Sequence, residues 1–258
     1  MNPSIFTSVI NSYLPEPHAS LLNGIIFGIP LKATPIFNQK LKMVGLLHLV
    51  VLSGMNITML AAIIGSFTKS LPKKLSLFIS IVCIVLFVLF VGIQAAVLRA
   101  AIMGILSLSA IIYGRKSTAL YSLFISFIFF LVFWPESITT ISFQLSFGAT
   151  LGIILFGNTK AKSSLFWREL KPSLAAQLFT TPIIFGYFKQ ISFIAPLSNL
   201  LTAFLIAPIM FFGFLAVILG KIHFFLGIIP ATICYVLVSY LVFVINFMSK
   251  IPFAWVQF

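Results

Sequence analysis

Residues 75–113 read LSLFISIVCIVLFVLFVGIQAAVLRAAIMGILSLSAIIY, 39 positions with a single charge, Arg99. About 20 apolar residues in a helix cross the hydrocarbon core of a bilayer. The run is therefore too long for one crossing and long enough for two. Gly92-Ile93-Gln94 is the natural place to divide it, giving one span at 75–91 and a second at 95–113. A pair of helices this apolar has no face to offer water. The rest of the chain agrees: of 258 residues, 61% are hydrophobic and 7% charged, against about 25% charged in soluble domains. The expected class is all-α, a polytopic transmembrane bundle.

Working outward, six more apolar segments bring the total to about eight membrane segments. Residues 44–67 precede the central pair and are closed by Lys69, Pro72, Lys73 and Lys74. Residues 118–134, 138–157, 173–188, 196–219 and 224–249 follow. A hydrophilic loop is expected at 158–172. Residues 1–43 read as a lead-in, with 1–18 not spanning. Within it 19–30 is apolar but short, which suits a re-entrant or interfacial segment. Residues 44–258 then form the transmembrane domain. Gly54, Thr58, Ala62 and Ser66 recur every fourth residue, as do Ala96, Ala100 and Gly104; such small-residue ridges let helices approach closely. Gly148 and Gly152 have the same spacing. Cys83 and Cys234 lie within apolar runs and read as buried hydrophobes.

The net charge is +13, with three acids: Glu16, Glu136 and Glu169. If all eight segments cross, Lys69, Lys73, Lys74, Arg115, Lys116, Lys160, Lys162, Arg168, Lys171 and Lys221 share one side. Lys32, Lys40, Lys42, Lys189 and Lys250 share the other. The richer side is expected in the cytoplasm, which leaves both termini outside. The first 18 residues lack the basic and apolar regions of a leader. The chain accordingly reads as a module of, or split from, a longer protein.

Polar groups at membrane depth are costly and usually face a bundle interior or a water-filled path. On a continuous helix over 44–67, His48, Ser53 and Asn56 fall within an arc of about 140°, beside Gly54. Gln94 opens the next span but one, and Arg99 lies about one turn further on. At the helix start Arg99 either snorkels to the interface or faces inward, where its planar fork suits phosphate. Ser137, Thr140 and Gln144 follow i, i+3, i+7. Gln177 and Thr181 are at i, i+4, and Asn199 opens the span at 196–219. Any one of these also reads as a plain interhelical hydrogen bond; several stripes together favour a lined path. His48 and His223 have no partners at metal-ligand spacing, and no glycine-rich phosphate loop follows a strand. Neither a catalytic site, a metal site nor a cofactor is expected. With three acids, an acid-driven proton relay is hard to build.

Five motifs in order resemble the competence domain of the ComEC family of DNA-internalisation proteins. They are Leu14-Pro-Glu-Pro-His-Ala-Ser20; Gly45-Leu-Leu-His48-Leu-Val-Val-Leu-Ser53-Gly54-Met-Asn56; Val97-Leu-Arg99-Ala-Ala-Ile-Met103; Phe143-Gln144-Leu-Ser146-Phe147; and Gln177 to Pro182 with Pro196-Leu-Ser-Asn199. Asn56 stands where the family usually has His. Glu136, with a longer following stretch, replaces an acid usually found close before FQLSF. The resemblance implies an inner-membrane channel for single-stranded DNA, fed by an outer DNA receptor and served by a cytoplasmic translocase or helicase. It also implies OB-like and metallo-β-lactamase-like domains as separate partners. A homodimer is one way for eight spans to enclose a strand. In that reading His48, Ser53, Gly54, Asn56, Gln94, Arg99, Gln144, Gln177, Thr181 and Asn199 border the DNA path. Two alternatives stay open: a secondary transporter of a small anionic or nucleotide-like solute, whose broken helices would resemble Pro182 here, and a non-transporting remnant or subunit.

Overall fold

The structure is a computed structural model that describes residues 4–31, 34–50, 54–92, 94–115, 118–158, 164–251 and 255–257. In chain order its helices are α1 (Ser4–Tyr13), α2 (His18–Phe27), α3 (Pro35–Met43), α4 (Leu47–Val50), α5 (Gly54–Phe67), α6 (Lys73–Val91), α7 (Ala95–Ile112) and α8 (Ala119–Phe133). A 3-10 turn (Pro135–Thr139) leads into α9 (Ile141–Phe156), α10 (Leu165–Phe188), α11 (Ala195–Ile222) and α12 (Phe224–Met248). The one departure from the all-α expectation among the described residues is an antiparallel ribbon. Its strands are β1 (Gln190–Ser192) and β2 (Trp255–Gln257), in register with Ile191 opposite Val256. Among the described residues four helices are long and apolar enough to cross a membrane: α6, α7, α11 and α12. Shorter apolar helices cover His18–Phe27, Asn56–Phe67, Ala119–Phe133 and Ile141–Phe156.

The chain divides into two compact units. One comprises 1–52, 163–173 and 188–258, the other 53–162 and 174–187. In the first, α11 and α12 form a hairpin and α2 packs on both. Nine of the ten residues of α2 are buried. An interfacial helix would keep one face exposed, so α2 is an internal packing element. It ends where Gly28 takes a left-handed conformation at φ 65°, as glycine does without penalty. Ile26 and Leu22 of α2 reach Gly213 of α11 so closely that a Cβ there would strike Ile26. Residues 4–13, expected as lead-in, form α1, whose Tyr13 hydroxyl donates to the Phe224 carbonyl at 2.6 Å. Lys40 Nζ donates to Asn246 Oδ1 at 2.7 Å and ties α3 to α12.

The span expected at 44–67 opens on a turn rather than on helix. Helix α3 stops at Met43, the chain turns at Gly45 with φ +72°, and helix resumes at Leu47; residues 51–53, between α4 and α5, lie outside the described residues. Ser192 Oγ donates to the Met43 carbonyl at 2.7 Å, satisfying a freed helix-end group. Gly45 also abuts Ala195, leaving no room for a Cβ. A Gly45→Ala variant combines left-handed strain of about 1–2 kcal/mol with overpacking of about 1–3 kcal/mol. Thermal unfolding of the detergent-solubilised protein should register a clear drop.

In the second unit the break predicted at 92–94 is present. Gly92 at φ 98° ends α6, and Gln94 is the extended residue before α7. Gly104 of α7 lies 3.8 Å, measured from an added Cβ, from both Ile57 of α5 and Ile84 of α6. With buried Ala100 it makes the expected ridge. Beyond Gly54 the other ridge does not pack: Thr58, Ala62 and Ser66 are exposed, and Asn56 and Ile57 are the residues of α5 that go inside. Leu123 and Phe130 of α8 with Phe143 and Phe147 of α9 make a further core cluster. The Phe143 and Phe147 rings stack with centroids 4.1 Å apart. Helix α10 begins at Leu165, inside the expected loop 158–172, and continues through Pro172 and Pro182.

Candidate functional site

The strongest site in the second unit is built around Arg99. It occupies the fifth position of α7, and its side chain is only 8% exposed. It does not snorkel. Nε donates to Ser146 Oγ of α9 at 2.9 Å, and Nη1 approaches Met103 Sδ at 3.4 Å. Nη2 lies over Gly54, the first residue of α5; a Cβ there would sit 2.5 Å from it and 3.1 Å from Ala100 Cβ. The two nearest anchors are one neutral hydroxyl and one weak sulfur acceptor. Among the described residues no carboxylate pairs with this guanidinium. Glu136 and Glu169 are exposed, and Glu16 belongs to the other unit, where it accepts from the Ser20 amide.

Local structure fixes this arrangement. Thr140 caps α9, its side chain accepting from the Phe143 amide at 3.3 Å. Phe143 and Phe147 point into the cluster with Phe130. Ser146, one residue before Phe147, is thereby presented to Arg99. Helical spacing lets residues one apart face different neighbours.

The other expected residues of this unit are placed as follows. Gly54 touches the guanidinium, and Asn56 is buried at 2% exposure on α5. Gln94 is half-buried just before α7. Gln144 is half-buried, and its Nε2 donates to the Thr139 carbonyl at 3.4 Å. The stripe Ser137, Thr140, Gln144 is not a helical face, because Ser137 belongs to the 3-10 turn and Thr140 is the cap. Gln177 and Thr181 are both half-buried on α10. Ser53 lies outside the described residues.

In the first unit His48 and Asn199 come together. His48 Nδ1 donates to the Gly45 carbonyl at 2.9 Å, and its ring hydrogen-bonds the Asn199 side chain. Asn199 Nδ2 donates in turn to Ser173 Oγ at 3.2 Å. This makes a neutral polar chain from α4 through α11 to α10. Ser146 and Met103 were missed as partners of Arg99. Both stand in the quoted motifs, yet no local pattern says that residues 99 and 146 meet.

The model of the competence protein family matches residues 25–258. The chain belongs to the competence protein family. ComE operon protein 3 of Bacillus subtilis (strain 168) is 27% identical over 200 residues, covering 75% of this chain and 25% of that protein. The chain thus spans about a quarter of the relative it matches. No solved structure matches it. Within this competence protein, the Arg99 motif and the FQLSF motif are the two segments that the Arg99–Ser146 hydrogen bond joins.

Proposed function

We propose that this competence protein forms a channel for single-stranded DNA across the cytoplasmic membrane during natural transformation. Eight apolar segments cross, the shorter helices included, with both termini outside. A receptor on the outer side delivers the strand, and a cytoplasmic translocase pulls it. OB-like and metallo-β-lactamase-like domains act as separate partners. The observation that carries the reading is the buried Arg99 guanidinium with no carboxylate partner among the described residues. Desolvating a cation costs several kcal/mol, which an ordinary core does not spend without a counter-charge. A passing phosphate supplies one. Gln144, Gln177, Thr181, Asn56 and the His48–Asn199 pair offer neutral groups that replace phosphate hydration weakly. Weak, repeated contacts let a strand move on.

The same cation also favours a smaller substrate, an anionic solute. Deleting the gene separates the two. The channel reading expects internalised labelled DNA to vanish while surface-bound DNA remains; unchanged DNA entry would leave solute transport. Ser146→Ala is a milder probe, because it keeps the charge and releases only Nε. The guanidinium keeps its charge and its Met103 contact, so internalised DNA should fall, but by less than when the charge itself is removed.

A further inference from the structure

A groove of about 490 Å³ opens along the second half of α7, lined by Leu106, Ser109, Ala110, Tyr113 and Arg115. Its position on the helix is informative. Arg99, Met103, Leu106, Ala110 and Tyr113 are spaced four, three, four and three residues apart, which places them on one stripe. Nη1 of Arg99 meets Met103 Sδ, the next residue on that stripe, at 3.4 Å. The groove is the continuation of the face that holds the buried guanidinium.

The far end is shaped by how α7 stops. Gly114 adopts φ 68°, the Arg115 amide donates to the Ala110 carbonyl at 2.8 Å, and the Gly114 amide donates to Ile111 at 3.2 Å. This paired closure folds the chain back over the last turn and brings Arg115 to the mouth. Tyr113 beside it is 79% exposed. An exposed aromatic ring next to a cation is the pairing that single strands use: a base stacks on the ring and the adjoining phosphate meets the charge. From Arg99 to the last helical residue, Ile112, α7 rises about 20 Å.

Resting on the channel reading, we propose that α7 is the rail along which the strand leaves, with Tyr113 stacking a base and Arg115 holding the phosphate beside it. A phospholipid headgroup would also suit an arginine at a helix end. Continuity of the groove with the Arg99 stripe favours the strand, since a headgroup site needs only the terminal turn.

The test uses the full chain in nanodiscs of neutral phosphatidylcholine and a fluorescent oligothymidine. Tyr113→Ala should weaken binding by about 5- to 150-fold, the range of one lost base stack, and Tyr113→Phe should restore it. Arg115→Gln should lower the salt slope of log K by about 0.7, one phosphate contact on a single strand. Both side chains are exposed, so folding is not at stake. Wild-type affinity and slope in both variants would overturn the rail, as would loss of a co-purifying anionic phospholipid from Arg115→Gln with oligothymidine binding intact. If Arg99→Met abolishes binding while Tyr113→Ala does not, the channel reading stands and the rail falls. If the wild type binds no oligothymidine, both fall.

Discussion

Arg99→Met is expected to remove DNA internalisation while leaving a protein at least as stable as the wild type. The two effects have one cause. The guanidinium is 8% exposed and held by Ser146 and Met103, so the resting protein carries its desolvation cost with little return. A thioether of similar length relieves that cost. Meanwhile the strand loses a charge-assisted contact worth about 1.5–3 kcal/mol, about 10- to 150-fold in any step that depends on it. Membrane abundance and the unfolding temperature in detergent report the first effect, and protected labelled DNA in cells reports the second. An arginine that merely holds α7 to α9 would behave otherwise: stability and uptake would fall together. Arg99→Lys separates charge from shape. The ammonium lacks the planar fork, so uptake should stay well below wild type.

Gly152→Ala should be the most damaging small substitution in the second unit, and Gly148→Ala its harmless control. A Cβ on Gly152 would collide with the Ala175 carbonyl oxygen and lie 2.8 Å from Phe179 Cδ2. The first obstacle is backbone, so α10 must shift as a whole, and overpacking of this kind costs about 1–3 kcal/mol or more. At Gly148 the nearest atom is the tip of Ile183 at 3.4 Å, ordinary contact that a flexible side chain absorbs. Alanine also favours a helix over glycine by about 1 kcal/mol. Chemical unfolding of the two variants should therefore move in opposite directions. Because α10 carries Gln177 and Thr181, uptake should fall with Gly152→Ala as well.

Local rules made much of the fold readable. The long apolar run announced α6 and α7, and Gly92 divided them as its missing Cβ allows. Ala100 and Gly104 packed as their spacing implied. The turn at Gly45 was hidden, because it depends on Ala195 and Ser192, far along the chain. Helix α10 started early for a different reason. Arg168, Glu169 and Lys171 mark a segment that water suits, and the same residues are good helix formers; hydrophilicity alone does not mean absence of structure. At the site, Arg99 stood out by charge alone. Its partner Ser146 did not, because a contact across 47 residues leaves no trace in helical periodicity.

The central claim is that a DNA strand passes the Arg99 site. A photo-crosslinking amino acid placed at Ser146, beside the guanidinium, during uptake of labelled transforming DNA tests it most directly. Leu89, 68% exposed on α6, is the outward-facing control. Strand adducts at position 146 and none at position 89, increasing when uptake is stalled, are the predicted result. Adducts absent from position 146 while labelled DNA continues to enter the cell would contradict the account.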